Sequence, residues 1–107
     1  MEKNNDSKFQ IKILPSFIEE FGIIVNYIAN ELCNKNAAEK FLIDVLNAIE
    51  SRSLYPNVFE KYVGKNKTKK EWYRIYIGNY TIFYTVENNI MKVAHIIYSG
   101  RNYETII

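Results

Sequence analysis

Residues 72–103 read WYRIYIGNYTIFYTVENNIMKVAHIIYSGRNY, and this stretch most narrows what the chain can become. Three runs rich in Ile, Val, Tyr and Phe, at about 72–77, 80–87 and 90–98, are separated by Gly78-Asn79 and Asn88-Asn89. β-Branched and aromatic side chains suit a pleated, half-buried surface, and Gly and Asn tolerate the positive φ that tight hairpins require. The expectation is three short strands, followed by a tail that offers Arg101 and Tyr103 together. Between Lys61 and Arg74, the bases Lys61, Lys65, Lys67, Lys69, Lys70 and Arg74 face only Glu71. A small sheet flanked by bases is suited to meeting something negatively charged.

That basic run dominates the charge distribution. Residues 1–60 hold six Lys/Arg against nine Asp/Glu, whereas residues 61–107 hold eight against three. The net charge of +2 is therefore −3 in the first part and +5 in the second. Such a cluster attracts polyanions, although a solvated lysine loop that keeps the protein in solution has the same composition.

The 107 residues make one domain, 1–107, because a second core would not fit. A hydrophobic content of 48% excludes a disordered chain. No apolar run approaches the roughly 18 residues of a membrane span, and residues 1–8 lack the apolar segment of a secretory signal. The single Cys33 cannot form an internal disulfide, and one Cys with one His leaves too few soft ligands for zinc. The expectation is a cytosolic (cytoplasmic) protein without metal, cofactor or membrane contact.

Residues 1–7 are polar and expected to fray. Phe9, Ile11 and Ile13 alternate with Lys8, Gln10 and Lys12, the period of a half-buried strand. Pro15 suits the first turn of a helix, where its missing N–H is no loss. Phe17, Phe21, Ile24, Ile28 and Leu32 then recur at helical spacing, widened by Ile18 and Val25. Glu19 and Glu20 lie near the positive end of that helix. Asn36 with Glu39 reads as a capping box opening a second helix, whose buried face is Ala38, Phe41, Val45 and Ile49, broadened by Leu42 and Leu46. Small Ala29, Ala37, Ala38 and Ala48 allow close helix approach. Pro56 stops the second helix. Residues 55–71 form the one long connection, anchored by Phe59 and Tyr62 and basic at its tip. The order β-α-α-β-β-β predicts an α+β fold, a two-helix hairpin packed on one face of a small antiparallel sheet.

This order and the wording of the last third resemble the RelE/ParE superfamily of bacterial type II toxins, over residues 9–103. The matching pieces are Tyr27-Ile28-Ala29, Asn34-Lys35-Asn36-Ala37-Ala38, Leu54-Tyr55-Pro56, Tyr73-Arg74, Gly78-Asn79-Tyr80, Ile82-Phe83-Tyr84 and Gly100-Arg101-Asn102-Tyr103. The resemblance implies a growth-inhibiting toxin that a cognate antitoxin wraps and silences, burying the basic face or a sheet edge. Members of the RelE branch cut mRNA on the ribosome, whereas members of the ParE branch poison DNA gyrase without nuclease residues. A degenerate toxin that retains only antitoxin binding is a third reading.

A metal-independent endoribonuclease must hold the scissile phosphate and move protons around it, and the fork of an arginine suits the phosphate. By resemblance, Arg74 stands where the RelE branch places a basic residue on the second strand, and Arg101 where it has one after the last strand. Tyr103 falls close to that branch's tail tyrosine, with a shorter spacing from the arginine. These three are the candidate catalytic residues, and Lys65, Lys67, Lys69 and Lys70 the candidate RNA-binding ones. Thr81 stands where RelE-type nucleases usually carry arginine, a loss worth about 2–4 kcal/mol of transition-state stabilisation. The order of expectation is therefore ribosome-dependent mRNA cleavage first and gyrase inhibition second. Each residue also has a plainer reading. The arginines can pair with Glu71, Glu87 or Glu104, and Tyr73, Tyr76, Tyr80, Tyr84 and Tyr98 can be packing residues. His95, on a face with Val93 and Ile97, reads as a packed or hydrogen-bonded histidine, and Cys33 as a small buried hydrophobe.

Overall fold

The computed structural model describes residues 9–65 and 69–107; the fraying expected of residues 1–7 and the role expected of Lys67 lie outside them. The elements are β1 (Gln10–Ile13), α1 (Pro15–Asn26), a π-helical turn (Tyr27–Glu31), α2 (Lys35–Arg52), β2 (Tyr62–Val63), β3 (Glu71–Ile77), β4 (Tyr80–Glu87) and β5 (Ile90–Tyr98). The fold is α+β, with two helices on a five-stranded sheet of order β1-β5-β4-β3-β2. Strands β2 to β5 are antiparallel, but β1 runs parallel to β5, from Gln10 beside Ile90 to Ile13 beside Val93. The purely antiparallel sheet is thus corrected to a mixed one. The direction of an edge strand depends on where the helical crossover returns the chain, and alternation within the strand carries no trace of it. The short β2 is a second addition, pairing the long connection onto β3.

The hairpin turns match their residue types. Gly78 has a φ of 57°, while Asn88 and Asn89 have 53° and 62°, so both two-residue connections close without strain on a β-branched side chain.

Pro15 occupies the first turn of α1, and Phe17 is buried against the sheet with Phe21 and Ile24 beside it. Past Asn26 the helix loosens: the N–H of Leu32 donates to the Tyr27 carbonyl, five residues back. That extra residue rotates the end of the helix away from the core. Leu32 and Cys33 are consequently exposed, and Cys33 has a φ of 50°, which corrects both its reading as a buried hydrophobe and the reach of the apolar stripe.

The N-cap of α2 is Asn34, two residues before the expected Asn36; its Oδ1 accepts the Ala37 N–H at 3.0 Å. Lys35 is already helical, so Asn36 belongs to the first turn. Ala38, Val45 and Ile49 are buried as expected, whereas Leu42 and Leu46 are not.

The sheet separates two apolar clusters. On the helix side Phe17, Val45 and Ile49 pack on Tyr73, Ile75, Ile82, Tyr84, Met91, Val93 and Ile96. On the opposite side Trp72, Phe83, Ala94 and Ile97 are closed over by Ile107, with Tyr62, Tyr103 and Ile106 at the margin. Burying each large apolar side chain contributes roughly 1.5–3 kcal/mol, so the helix side carries most of the stabilisation. A bulge decides how β5 serves both faces. Tyr84 pairs with Val93 but Phe83 with His95, leaving Ala94 as the extra residue. His95 therefore shares the face of Phe83 and Ile97 and not that of Val93, a correction that strict alternation could not supply.

No described helix is long and apolar enough to cross a membrane.

Candidate functional site

β1 pairs with β5 only as far as Val93, whose carbonyl accepts the Leu14 N–H at 2.9 Å. Beyond that point the edge of β5 is held by side chains of α1. Ser16 Oγ donates to the Ala94 carbonyl at 2.6 Å, and the Ile96 N–H donates to Glu20 Oε1 at 3.0 Å. The other Glu20 oxygen lies 2.9 Å from His95 Nδ1. Glu20 thus serves an unpaired strand edge and a histidine at once, rather than the helix terminus. His95 is hydrogen-bonded, as its plainer reading held.

Sequence reasoning missed Ser16 and Glu20 in this role. Their four-residue spacing puts both on one side of α1, yet nothing in the pattern shows which strand end they meet.

The α2 end carries a second tie. Arg52 donates from Nη1 to the Arg74 carbonyl at 3.0 Å and to the Tyr84 hydroxyl at 2.9 Å, and its guanidinium lies 3.6 Å over the Phe59 ring. Tyr84 in turn donates to the Pro56 carbonyl at 2.7 Å. Burial pushes the Tyr84 hydroxyl above its ordinary pKa, opposed by the hydrogen bond and charge of Arg52. This tie holds the connection after α2 against β3.

The three candidate catalytic side chains have separate surroundings. Arg74 is half-buried on β3, its guanidinium 4.7 Å from the Tyr62 ring and 5.6 Å from Tyr76. It lines a shallow cavity with Arg52, Phe59, Glu60 and Tyr76. Arg101 is exposed beyond β5 and lines another cavity, with Glu20, Tyr27, Tyr80 and Tyr98. Tyr103 belongs to the far-side cluster, its ring 5.1 Å from Phe83 and 6.0 Å from Tyr62. Tyr62 therefore links Tyr103 to Arg74, while Arg101 stands apart. Thr81 is buried, its hydroxyl 2.8 Å from Ser99 Oγ.

The acidic residues expected to pair with the arginines pair with lysines instead: Glu71 with Lys61 at 3.1 Å, Glu87 with Lys92 at 3.5 Å and Glu104 with Lys65 at 3.3 Å. The first of these raises the Lys61 pKa, through the hydrogen bond and the charge of Glu71. Lys69 and Lys70 are exposed, and the Lys70 ammonium lies 4.9 Å over the Trp72 ring. Residues 64 and 65 lie against the closing segment. Lys65 ties to Glu104, and a Cβ on Gly64 would collide with the Ile107 carbonyl oxygen.

A different feature stands between the helices. α1 and α2 touch through Phe21 and Phe41, ring centroids 6.0 Å apart, but elsewhere leave an apolar channel of about 680 Å³. Its walls include Ile18, Val25, Leu42 and Leu46. Ile18 is 59% exposed, Leu42 37% and Leu46 49%. The small residues do not bring the helices into continuous contact. The residues expected to widen the two core stripes form an open apolar surface instead, the kind that marks an interaction site.

No curated protein is matched by the chain. The family model described as the ParE toxin of type II toxin-antitoxin systems, parDE, matches residues 11–103, from within β1 to the ring that closes the far side of the sheet. The match spans both helices, the meander and the arginine-tyrosine segment, so the chain belongs to the ParE toxin family and is a toxin of the type II toxin–antitoxin kind, with a cognate antitoxin as partner.

Proposed function

We propose that this toxin arrests growth in the cytosol by binding a protein target, DNA gyrase, rather than by cutting RNA. The observation that carries this reading is the dispersal of the catalytic candidates. Arg74 and Arg101 line different cavities, and the Tyr103 ring is packed against Phe83 and Tyr62. Efficient phosphodiester cleavage needs its phosphate ligand and proton donor converging within hydrogen-bond reach of one reacting group. Thr81, where an arginine would serve a nuclease, contributes a buried hydroxyl turned to Ser99.

The antitoxin's place in this proposal is the channel between α1 and α2. An amphipathic helix laid there would cover Ile18, Leu42 and Leu46 with its apolar side chains.

Ribosome-dependent mRNA cleavage is the second reading, and one observation favours it. Lys70 and Arg74 lie close to the aromatic rings of Trp72, Tyr62 and Tyr76, the pairing of cations and rings that holds single-stranded nucleic acid. In that reading Arg74 and Arg101 contact phosphate, Tyr103 serves the base or leaving group, and Lys65, Lys67, Lys69 and Lys70 dock on ribosomal RNA.

Induction of the chain without its antitoxin separates the readings. Arrested replication with a DNA-damage response and intact mRNA ends is the expected result. New cuts within translated codons, lost in Arg101→Ala, would overturn it in favour of the nuclease. Undisturbed growth, with antitoxin binding retained, would leave a degenerate toxin.

A further inference from the structure

The cleft that holds Arg101 has the composition of a protein-binding hot spot. It measures about 310 Å³ and runs between the second half of α1 and the end of β5, over a floor that includes Ile24 and Ile96. Tyr27 and Tyr98, 50% and 54% exposed, stand at its rim. Tyr80 lies between them, its ring 5.9 Å from Tyr98 and braced from behind by Phe41 at 5.3 Å. Burial, with Tyr27 and Tyr98 close by, raises the Tyr80 pKa, so this hydroxyl stays protonated and able to donate at neutral pH.

The charges in the cleft are unbalanced. Among the described residues Glu20 is the one carboxylate that lines it, and both its oxygens are engaged, by the Ile96 N–H and by His95. The other acids of the last third, Glu71, Glu87 and Glu104, do not line it and are paired with lysines. The Arg101 guanidinium has no acceptor among the described residues. Its backbone is nonetheless fixed. The Arg101 N–H donates to the Tyr98 carbonyl at 3.0 Å, and Gly100 leaves room for the Tyr98 ring, which a Cβ there would meet at 2.8 Å. An exposed arginine held by a tight turn beside three tyrosines and an apolar floor is the arrangement that anchors protein partners.

We propose that this cleft is where the toxin seizes its protein target, and that it takes a segment bearing a large apolar side chain next to an Asp or Glu. The apolar side chain enters between the tyrosines, and the carboxylate meets the guanidinium. A nucleic-acid strand fits less well. One arginine cannot track a phosphate backbone, and Lys65, Lys69 and Lys70 are outside the cleft. This assignment rests on the protein-target reading above, and it leaves the α1–α2 channel to the antitoxin.

The test uses purified wild-type toxin and the variants Arg101→Glu, Arg101→Lys and Tyr98→Ala, with purified gyrase as the probe. Supercoiling inhibition, growth arrest, mRNA ends, antitoxin binding and Tm are read for each. The expected loss of inhibition is about thirtyfold for Arg101→Glu and about tenfold for Tyr98→Ala, with Arg101→Lys between wild type and Arg101→Glu. Tm and antitoxin binding should be unchanged. Full inhibition by Arg101→Glu would overturn the cleft while sparing the gyrase reading. Wild-type toxin that leaves gyrase untouched, combined with growth arrest relieved by Arg101→Glu and intact mRNA, would keep the cleft and replace the target. Loss of antitoxin binding in these variants would give the cleft to the antitoxin, and loss of mRNA cuts would give Arg101 to a nuclease; either outcome overturns the proposal.

Discussion

The two faces of the sheet are closed by different kinds of cover. On one face, α1 and α2 lay periodic apolar residues across β3, β4 and β5. On the other, a few residues of the closing segment, Tyr103, Ile106 and Ile107, fold over Trp72 and Phe83. The helical cover is two elements joined by a short turn and tied at its end by Arg52. The segment cover is held by an exposed ion pair at Lys65 and two turn hydrogen bonds to the Tyr103 carbonyl, among other contacts. Exposed ion pairs contribute little, so apolar packing carries the far side as well. The difference implies a stiff helix-covered face and a far face that opens at lower cost, and three substitutions can break or sharpen that contrast.

The largest effect is expected from Phe17→Ala. Its ring is 2% exposed and packs on Phe21 at 5.3 Å, so truncation should cost about 3–5 kcal/mol in denaturant unfolding. A loss under about 1 kcal/mol would deny the helix-covered face its dominance.

Ile107→Ala should cost less, about 2 kcal/mol, the low end for an isoleucine truncation, because its short segment can settle into the gap. Native-state hydrogen exchange should show faster exchange at residues 103–107 and along β2, with the helix-side amides unchanged. Uniform acceleration through α1 and α2 would mean that the two faces open as one unit.

Tyr84→Phe removes a hydroxyl that joins α2 to the connection beyond it, and should cost about 1 kcal/mol at neutral pH. The pH dependence carries a definite sign. The Tyr84 pKa is raised in the folded protein, so its contribution is fully present below the unfolded value of about 10 and is lost as pH climbs through the higher folded value. Tm of the wild type should therefore fall above about pH 10, and less steeply in Tyr84→Phe. Identical alkaline slopes would remove Tyr84 from that account.

Much of this contrast was legible along the chain. The meander showed in its hinges, where Gly78 and Asn88-Asn89 take the positive φ their residue types permit. The helical cover showed in the spacing of Phe17, Phe21 and Ile24 and of Ala38, Val45 and Ile49. Other features have no local cause. The Ala94 bulge turned His95 to the far face, and the π-helical turn carried Leu32 and Cys33 out to solvent. One inserted residue changes the facing of every later position in its element, while the hydrophobic pattern before it reads the same.

The candidate site was legible only as a set of residue types. Arg74, Arg101 and Tyr103 were found from the wording of the last third, but their separation comes from their positions on β3, beyond β5 and under the closing segment. Glu20 drew notice for its nearness to a helix terminus, whereas it serves a strand 76 residues away.

By itself the sequence determined four of the five strands, the helices, the turn chemistry, the basic half and the family, because these depend on neighbours a few residues apart and on residue type. The tertiary structure alone decided that β1 runs parallel to β5, that Leu42 and Leu46 line an open channel, and that Arg101 faces a tyrosine cleft without an acceptor among the described residues. Those outcomes depend on which distant surfaces meet. Apolar residues at helical spacing mark a face to be covered, and only packing decides whether a sheet of the same chain or another molecule covers it.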